Sequence, residues 1–523
     1  MQRRLFLLDA ARLAAAATAA TPSLVLGAPP SNGAGYPFSL GVASGAPLPD
    51  SVILWTRILP DPLDATSSPR LAVPLRWEVA DDEAFRRIVA RGSAIAAPEL
   101  AHSVRVNVTG LQPARWYWYR FLLGDAASPV GRTRTAPAAG SMPDLLKLAV
   151  ASCQHWEFGS YAAHRHIAAA NPDLVAFLGD YIYEWGAYQL QHPQRAVRRD
   201  ESFTLDDYRR RYAQYKSDPQ LQAAHLAAPW IVTWDDHEVA NDYAALRDER
   251  LSSTFAGRRA AAYQAFYEHM PLRLPPPRSF ASVRMFQRVD WGRLARLHVL
   301  DDRQYRAVQA CPRPGTGGSS STTVPACPSL RDPRRSMLGG EQEAWLEAGL
   351  RASPARWNIL AQQTLMAQST QVPLAMPDGG RFWTDGWDGY PAARRRLLDT
   401  LLQTRAANPL VLGGDVHTFY ATELRRDFAR PAGRDNPLVA TEFVGTSVTS
   451  SSRPQQRTDD YVALNPHIRY GRSDRRGYML MEVRPKETRT WFMGLDDVRD
   501  AGSQQRVLAA FRVGDGKVGV DMT

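Results

Sequence analysis

Six apolar stretches of this 523-residue chain each end in polar side chains that can bind metal ions. Helical stretches separate them, and this alternation predicts an α/β core built on buried strands. The stretches, with the polar residues that follow, are 145–151 (Cys153), 174–178 (Asp180), 230–234 (Asp235, Asp236, His237), 294–300 (Asp301, Asp302, Arg303), 357–360 (Gln363) and 410–412 (Asp415, His417). Ligands of open α/β sheets bind beyond the carboxyl ends of the strands, so we expect one shared site.

The most informative of these strand ends is Gly179-Asp180-x-x-Tyr183, where a carboxylate and a phenol lie three residues apart. Taken alone, Gly-Asp after a strand is usually a turn or a helix cap. Cys153 alone could be a small core residue, and His417 alone a hydrogen-bonded core histidine. Their joint occurrence after successive strands favours a metal site, and carboxylate with phenolate suits trivalent iron.

Composition limits the classes of protein that the chain can belong to. With 44% hydrophobic and 22% charged residues, it is globular and long enough for more than one domain. Its net charge of +10 suits phosphate-bearing substrates or an anionic surface, although a solvated arginine-rich exterior explains it equally well. No basic run with interleaved aromatic residues indicates a nucleic-acid groove.

Residues 1–28 are typical of a signal peptide. Arg3-Arg4-Leu5-Phe6-Leu7 resembles the twin-arginine pattern, and an alanine-rich stretch leads to a predicted cleavage site at Leu26-Gly27-Ala28. Asp9 and Arg12 interrupt that stretch, which argues against a stable membrane span. We expect export by the twin-arginine translocation machinery to the periplasm or the medium. A short helix that stays attached is the alternative.

The three cysteines do not make a disulfide framework. Cys311 and Cys327 bracket a loop rich in Pro, Gly, Ser and Thr, which one bridge could close in an exported protein. Cys153 is then left as a single thiol.

Short alternating runs at 51–57, 75–79, 103–108 and 116–121 predict an N-terminal antiparallel β-sandwich, fibronectin-like or immunoglobulin-like, over residues 36–137. Nothing in it indicates catalytic chemistry. The predicted organisation is a signal peptide (1–28), this sandwich, a catalytic α/β domain (145–500) and a C-terminal segment (501–523).

Several motifs together resemble the PhoD-like (alkaline phosphatase D) family of metallophosphatases. They are Ala151-Ser152-Cys153-Gln154, Gly179-Asp180-Tyr181-Ile182-Tyr183-Glu184, Trp234-Asp235-Asp236-His237-Glu238, Arg303-Gln304-Tyr305 and Gly414-Asp415-Val416-His417. This resemblance implies an α/β/β/α metallophosphoesterase sandwich after the N-terminal domain. It also implies an iron ion with calcium, and hydrolysis of phosphomonoesters and often phosphodiesters.

The chemistry of the side chains divides the ligands between the two metals. Fe³⁺ accepts phenolate and carboxylate, with thiolate and imidazole completing its set, which assigns Cys153, Asp180, Tyr183 and His417 to it. Ca²⁺ prefers oxygen, which assigns Asp180, Asp236 and Asp415. Asp180 has two oxygens and is therefore the predicted bridge between the metals.

Hydrolysis on such a centre is expected to use a metal-bridging hydroxide as the nucleophile. His237 is predicted to protonate the leaving alkoxide, or otherwise only to orient a ligand. Arg303 is predicted to bind the phosphate, although an exposed position is the commoner fate of arginine. Asp302 stands where the family usually has Thr, and it could pair with Arg303 or help to bind a cation.

Further ligands are left open. Gln363 could touch calcium or make only a strand-end hydrogen bond. Asp235, Asn241 and Asp242 could hold another calcium, or could cap a helix.

Three functions remain as alternatives. The first is an exported, monomeric alkaline phosphatase acting on small phosphate esters. The second is a phospholipase D-type phosphodiesterase that uses the same metals on lipid head groups. The third, a non-catalytic binding protein with a degenerate core, is disfavoured because all the predicted ligands are present.

Overall fold

The computed structural model describes residues 35–64, 67–187, 195, 200–374 and 379–523. The predicted signal peptide lies outside the described residues. The N-terminal strands are β1 Val42–Leu48, β2 Ser51–Arg57, β3 Val73–Ala80, β4 Ile88–Ala96, β5 Ser103–Val108, β6 Trp116–Leu123, β7 Ala126–Ala127 and β8 Gly131–Arg134.

The strands that follow are β9 Leu146–Ala151, β10 Leu174–Phe177, β11 Trp230–Val232, β12 Gln287–Trp291, β13 Ala295–Val299, β14 Ser321–Thr323, β15 Trp357–Ala361, β16 Arg381–Trp383, β17 Pro409–Gly413, β18 Phe419–Arg425, β19 Leu438–Val444, β20 Ile468–Arg472, β21 Gly477–Val483, β22 Glu487–Leu495, β23 Gln505–Gly514 and β24 Asp521–Met522. The α-helices are α1 Ala162–Ala169, α2 Leu205–Lys216, α3 Pro219–Ala227, α4 Phe255–His269, α5 Gly339–Arg351, α6 Pro391–Thr404 and α7 Gln455–Leu464.

Two large sheets pack face to face. One has the order β24-β23-β22-β21-β9-β10-β11-β1-β2-β5, and the other the order β12-β13-β15-β17-β19-β18-β20. Side chains alternate across the strands, so that Leu148 and Val150 of β9 enter the core between the sheets, while Ala149 and Ala151 face the helical side. Leu360 of β15 likewise packs on the second helical layer.

This arrangement confirms the predicted α/β class and the α/β/β/α sandwich. The six predicted strands are all present, but they are divided between the two sheets. β9, β10 and β11 belong to the ten-stranded sheet, and β13, β15 and β17 to the seven-stranded one. Within each set the strands run parallel.

The predicted N-terminal β-sandwich is also present, with one difference. Its core packs Val42, Val52 and Leu54 of one sheet against Val79 and Tyr119 of the other. The first of these sheets, β1-β2-β5, is part of the ten-stranded sheet, because β1 pairs in parallel with β11.

The contact between β1 and β11 depends on Gly45, which lies opposite Trp230. A Cβ atom at Gly45 would come within 2.7 Å of the carbonyl oxygens of Trp230 and Pro271. Only glycine lets the two backbones approach so closely.

The C-terminal residues 501–523 contribute β23 and β24 to the ten-stranded sheet, and Phe511 and Val513 enter the core between the sheets. The predicted disulfide between Cys311 and Cys327 is formed. Within the described ranges, no helix combines the length and apolar character needed to cross a membrane.

Candidate metal centre

The loops that follow β10, β11 and β17 meet around one cavity of about 510 Å³. Asp180, Asp236, His237, Asp415 and His417 line it, as predicted from their positions after apolar strands. Cys153, which follows β9, is fully buried nearby.

The backbone is strained where these side chains leave the strands. Cys153, Asp180, Asp415 and His417 have φ angles of 59°, 56°, 62° and 53°, in the left-handed region that few residues other than glycine adopt. Gly179 precedes Asp180 at φ 104°, and a Cβ atom there would lie 2.4 Å from the Cβ of Asp235. Such strain is common where a loop aims side chains at a ligand.

The first group of potential ligands, called here the mixed cluster, consists of Cys153, Asp180, Tyr183 and His417. One ligand atom each of Cys153, Asp180 and His417 lies within 4.8 Å of the other two. The Tyr183 hydroxyl is 2.9 Å from Asp180 Oδ2 and 3.2 Å from His417 Nε2. All four residues predicted to bind iron are therefore brought together.

The second group, called here the acidic cluster, consists of Asp180, Asp236 and His237, whose ligand atoms also lie within 4.8 Å of one another. Asp180 belongs to both clusters. Asp415 lines the same cavity, although it belongs to no three-residue group within that distance among the described residues.

Unpaired oxygens show that these residues fit a bound cation. Asp180 Oδ1 and Asp415 Oδ2 are buried without a hydrogen-bond partner among the described residues, and Asp236 Oδ1 has only an ion pair with Arg303 at 3.5 Å. Burial, then Asp236 and other carboxylates, raise the pKa of Asp180 well above its usual range, with His237 opposing. Burial and Asp235 do the same to the pKa of Asp415. Buried anions are costly without a compensating charge, which a cation would supply.

The mixed cluster holds its protons tightly when no cation is bound. Burial and Asp180 raise the pKa of both the Cys153 thiol and the Tyr183 phenol. Burial and Arg476 lower the pKa of His417 to about 3, which leaves the imidazole neutral and able to act as a ligand. Cation binding must therefore displace protons from the thiol and the phenol, and its affinity should rise with pH.

His237 is held in place from three sides. Its Nδ1 is 2.8 Å from Glu184 Oε2, and its ring lies 4.1 Å from the ring of Tyr183 and 4.3 Å from that of Trp185. Although burial opposes it, the charge of Glu184 raises the pKa of His237 well above the ordinary value. With Nδ1 engaged by Glu184, the other ring nitrogen is the one that could donate a proton to a substrate.

Glu238 fixes the loops that carry the aspartates. Its carboxylate accepts hydrogen bonds from the backbone N–H groups of Asp180, Tyr181 and Asp235 at 3.1, 2.5 and 2.7 Å. Sequence reasoning quoted Glu184 and Glu238 within the motifs but assigned neither of them a function.

Ser450 and Arg476 hold the mixed cluster from the opposite side, and sequence reasoning missed both. Ser450 Oγ is 2.7 Å from the Tyr183 hydroxyl, and Arg476 Nη1 donates to the carbonyls of His417 and Ser450 at 3.1 and 2.9 Å. The Ser451 carbonyl accepts from His417 Nδ1 at 2.6 Å, which leaves Nε2 as the ligand atom. No motif marks these residues, because they follow β19 and precede β21 in loops without a strong pattern.

Arg303 is buried and is not among the residues that line the cavity. Its guanidinium contacts Asp235, and it contacts Asp385 at 2.7 Å. Asp385 in turn binds Arg306 at 2.7 Å. The predicted phosphate contact of Arg303 stays a prediction, and it would require one of these ion pairs to open.

Asp302 and Gln363 are buried and are not among the residues that line the cavity. Neither oxygen of Asp302 has a hydrogen-bond partner among the described residues, and burial together with the charge of Asp235 raises its pKa to about 8. The Gln363 amide donates to Trp234 O and Leu300 O at 2.8 and 3.0 Å and accepts from Asp302 N. Gln363 thus joins strand ends of the two sheets.

A third acidic group contains Asp242. One ligand atom each of Asp236, Asp242 and Asp385 lies within 4.8 Å of the others. Asn241 lines the cavity, and its N–H donates to Glu184 Oε1 at 2.7 Å. Calcium binding by Asp235, Asn241 or Asp242 stays a prediction.

Comparisons with known proteins show which family the chain belongs to. A family model described as PhoD-like phosphatase matches residues 148–492, and one described as PhoD-like phosphatase, N-terminal domain, matches residues 24–137. Alkaline phosphatase D of Bacillus subtilis (strain 168) is 43% identical over 521 residues, covering 97% of this chain and 87% of the relative.

Solved structures of phosphatases also match this chain. The structure of PhoD matches with a TM-score of 0.87 and 42% identity, covering 94% of this chain and 93% of its own. A purple acid phosphatase from yellow lupin (Lupinus luteus) seeds shares the fold at 11% identity and a TM-score of 0.56, covering 91% of this chain and 73% of its own. This chain belongs to the PhoD-like phosphatase family and is a phosphoric ester hydrolase.

Proposed function

We propose that this protein hydrolyses phosphate monoesters and diesters with Fe³⁺ in the mixed cluster and Ca²⁺ on the carboxylates of Asp180, Asp236 and Asp415. The observation that carries the proposal is that the two clusters share Asp180 while differing in chemistry. A carboxylate with an unpaired second oxygen can serve two cations at once.

The metal identities follow from ligand hardness. Phenol, thiol, imidazole and carboxylate together suit Fe³⁺. On the other side of Asp180, the cavity offers the oxygens of Asp236 and Asp415, which suit Ca²⁺.

The residues of the chain have distinct functions in the reaction. When bound, a pair of cations lowers the pKa of the attacking water and stabilises charge on the phosphoryl oxygens. His237 donates a proton from Nε2 to the leaving alkoxide, because Glu184 at Nδ1 keeps the ring protonated and oriented. Glu238 keeps Asp180 and Asp235 in position through their backbone N–H groups.

The cavity supports diesters as well as monoesters. Its volume of about 510 Å³ exceeds what a phosphoryl group needs, and Trp185, Trp383 and Tyr461 provide apolar surface for an alcohol group.

We also propose export to the periplasm or the medium by the twin-arginine route. The Arg3-Arg4 motif supports this, and so does the Cys311–Cys327 disulfide, because such bonds persist in oxidising compartments. Replacing both arginines with lysine should leave the unprocessed protein in the cytoplasm, measured by cell fractionation. Normal processing of that variant would contradict the route.

The metal assignment is tested by metal analysis and visible spectroscopy of the protein as isolated. Iron bound by Tyr183 should give a tyrosinate charge-transfer band that disappears in Tyr183→Phe. Tyr181→Phe is the matched control, because its hydroxyl contacts His225 at 2.8 Å, away from the clusters. An unchanged band in Tyr183→Phe would remove Tyr183 from the ligand set.

The activity is tested with p-nitrophenyl phosphate, bis-p-nitrophenyl phosphate and phosphatidylcholine, with and without a calcium chelator. We expect chelator-sensitive hydrolysis of the first two. Hydrolysis of phosphatidylcholine alone would favour the phospholipase D-type alternative. If the metal-replete protein cleaves none of them, the proposal fails.

A further inference from the structure

The cavity is lined by two arginines as well as by aspartates. Arg453 and Arg457 line it, and they are its only basic residues apart from the histidines among the described lining residues. Neither has a carboxylate partner in the part of the chain that the structure describes. Both lie by the ring of Tyr461, at 5.0 and 5.6 Å, and Arg457 Nε donates to its hydroxyl at 3.1 Å.

Neighbouring arginines, in contrast, do have carboxylate partners. Arg475 and Arg499 line an adjoining surface hollow, which Arg453 also borders, and they lie 3.7 and 3.3 Å from Asp474 and Asp497. Their charge is therefore compensated within the protein, whereas that of Arg453 is not.

The position of Arg457 is also unfavourable for its own helix. α7 begins at Gln455 and has no acidic residue in its first turn. A cation in a first turn opposes the helix dipole, so the positive potentials of the helix end and the two arginines add. A local arrangement of cations that costs stability and has no carboxylate partner among the described residues is typical of a binding function.

Arg453 is tied closely to the metal centre. It follows Ser451 by two residues, and the Ser451 carbonyl accepts from His417 Nδ1 at 2.6 Å. Two residues span at most about 7 Å, so the guanidinium can reach groups attached to an ester at the clusters. The partners of Arg303 are carboxylates, whereas Arg453 and Arg457, the arginines of the described cavity lining, have no carboxylate partner there.

We infer that Arg453 and Arg457 bind a second anionic group on the alcohol portion of the ester, so that the enzyme prefers doubly anionic substrates. The inference rests on the proposed phosphatase function and deepens it. A guanidinium binds phosphate in a bidentate manner, and two of them suit a phosphoryl group better than a carboxylate.

The test compares kcat/KM for propane-1,3-diol monophosphate, propane-1,3-diol bisphosphate and 3-phosphooxypropanoate. The bisphosphate value is halved to correct for its two equivalent phosphoryl groups. We expect a preference of about tenfold for the bisphosphate over the monophosphate, with the carboxylate compound between them. Raising the salt concentration should reduce the preference.

Arg453→Ala should reduce this ratio to about one, and Arg457→Ala should reduce it less, because Arg457 also binds Tyr461. Arg453→Lys should keep part of the preference, because lysine keeps the positive charge but cannot bind phosphate in a bidentate manner. Arg469→Ala, an exposed arginine that does not line the cavity, should leave the ratio unchanged. Metal content and thermal unfolding show whether each variant is folded and loaded.

The outcomes separate the two proposals. If the metal-replete wild type hydrolyses none of the three compounds, the proposed phosphatase function fails. If it hydrolyses them without a preference, or if Arg453→Ala and Arg457→Ala keep the wild-type ratio, the second anionic site is wrong while the phosphatase function stands.

Discussion

Asp385 differs from Asp180 and Asp415 in the number of hydrogen bonds and ion pairs that its carboxylate oxygens make. Both carboxylate oxygens of Asp385 are bonded, one to Arg303 and the other to Arg306 and Gln309. Asp180 and Asp415 each keep a buried oxygen without a hydrogen-bond partner among the described residues. The backbone differs too, since Asp180 and Asp415 have positive φ angles and Asp385 does not.

The difference separates acidic residues that are paired within the protein from acidic residues whose oxygens could still bind a cation. A buried carboxylate that is fully paired by arginines stabilises the fold around it. One that is left unpaired, on strained backbone beside a cavity, costs stability until a cation arrives. Residue type alone does not distinguish these cases.

The largest expected effect comes from Asp180→Asn. Because the change removes a carboxylate from both clusters, we expect kcat/KM to fall by about 1,000-fold or more, about 4 kcal/mol, with loss of bound metal. The raised pKa of Asp180 implies that its ionised form destabilises the metal-free fold as pH rises above its unfolded value. At pH 8 the metal-free variant should therefore unfold at a higher temperature than the metal-free wild type.

The control for Asp180→Asn is Asp206→Asn, an exposed residue of α2. It should change neither the metal content nor kcat/KM. Full metal content in Asp180→Asn would contradict the bridging function.

Asp385→Asn tests whether an aspartate with both oxygens paired stabilises the fold. It leaves Arg303 and Arg306 buried with less compensation, which should cost about 3–5 kcal/mol of unfolding free energy in denaturant titrations. Asp290→Asn, which removes a partly exposed ion pair with Arg296, should have a much smaller effect. Equal effects would show that Asp385 is not a structural anchor.

Ser450→Ala sharpens the comparison at the mixed cluster. The hydroxyl contacts Tyr183 without lining the cavity, so its loss should loosen the phenol and reduce kcat/KM by about 10-fold. The charge-transfer band should shift to a new wavelength without disappearing. Ser369→Ala, at a cavity residue with no contact to the clusters among those described, should leave the band unchanged.

Lys216 is the reverse case, a buried cation with no carboxylate partner among the described residues. It lies 4.3 Å from the ring of Trp55 and 5.3 Å from that of Tyr181, and burial lowers its pKa to about 7. Its stabilising contribution is complete above the unfolded pKa of about 10.4 and is lost as pH falls toward 7.

Lys216→Met should therefore stabilise the protein at pH 7 by about 1 kcal/mol, after the loss of its contacts with the aromatic rings. The gain should shrink as pH approaches 10, measured by thermal unfolding across pH. Exposed Lys486→Met should show no such dependence. A destabilised Lys216→Met at pH 7 would mean that Lys216 has a ligand or partner of its own.

Much of the site could be predicted because its residues follow apolar runs. The positions of Asp180, Asp236, Asp415 and His417 after β10, β11 and β17 needed only the strand pattern and the rule that ligands bind at strand ends. The sandwich strands carried period-two alternation, which is an equally local signal.

The rest depends on contacts between distant parts of the chain. Arg303 meets Asp385 across 82 residues, and Ser450 meets Tyr183 across 267. No local pattern marks such pairs, so the phosphate function predicted for Arg303 could not be weighed against its ion pairs. The division of six similar strands between two sheets is also invisible to periodicity, and the family resemblance implied only that a sandwich would form.

The parallel contact at Gly45 has a consequence for aggregation. β11 has only three residues, and without β1 its N–H and C=O groups would form an open sheet edge beside buried apolar residues. Open edges recruit strands from other molecules and promote aggregation. The N-terminal sandwich therefore covers the edge of β11 with β1. The open edge of the sheet is then β5, which packs on the separate core of the sandwich.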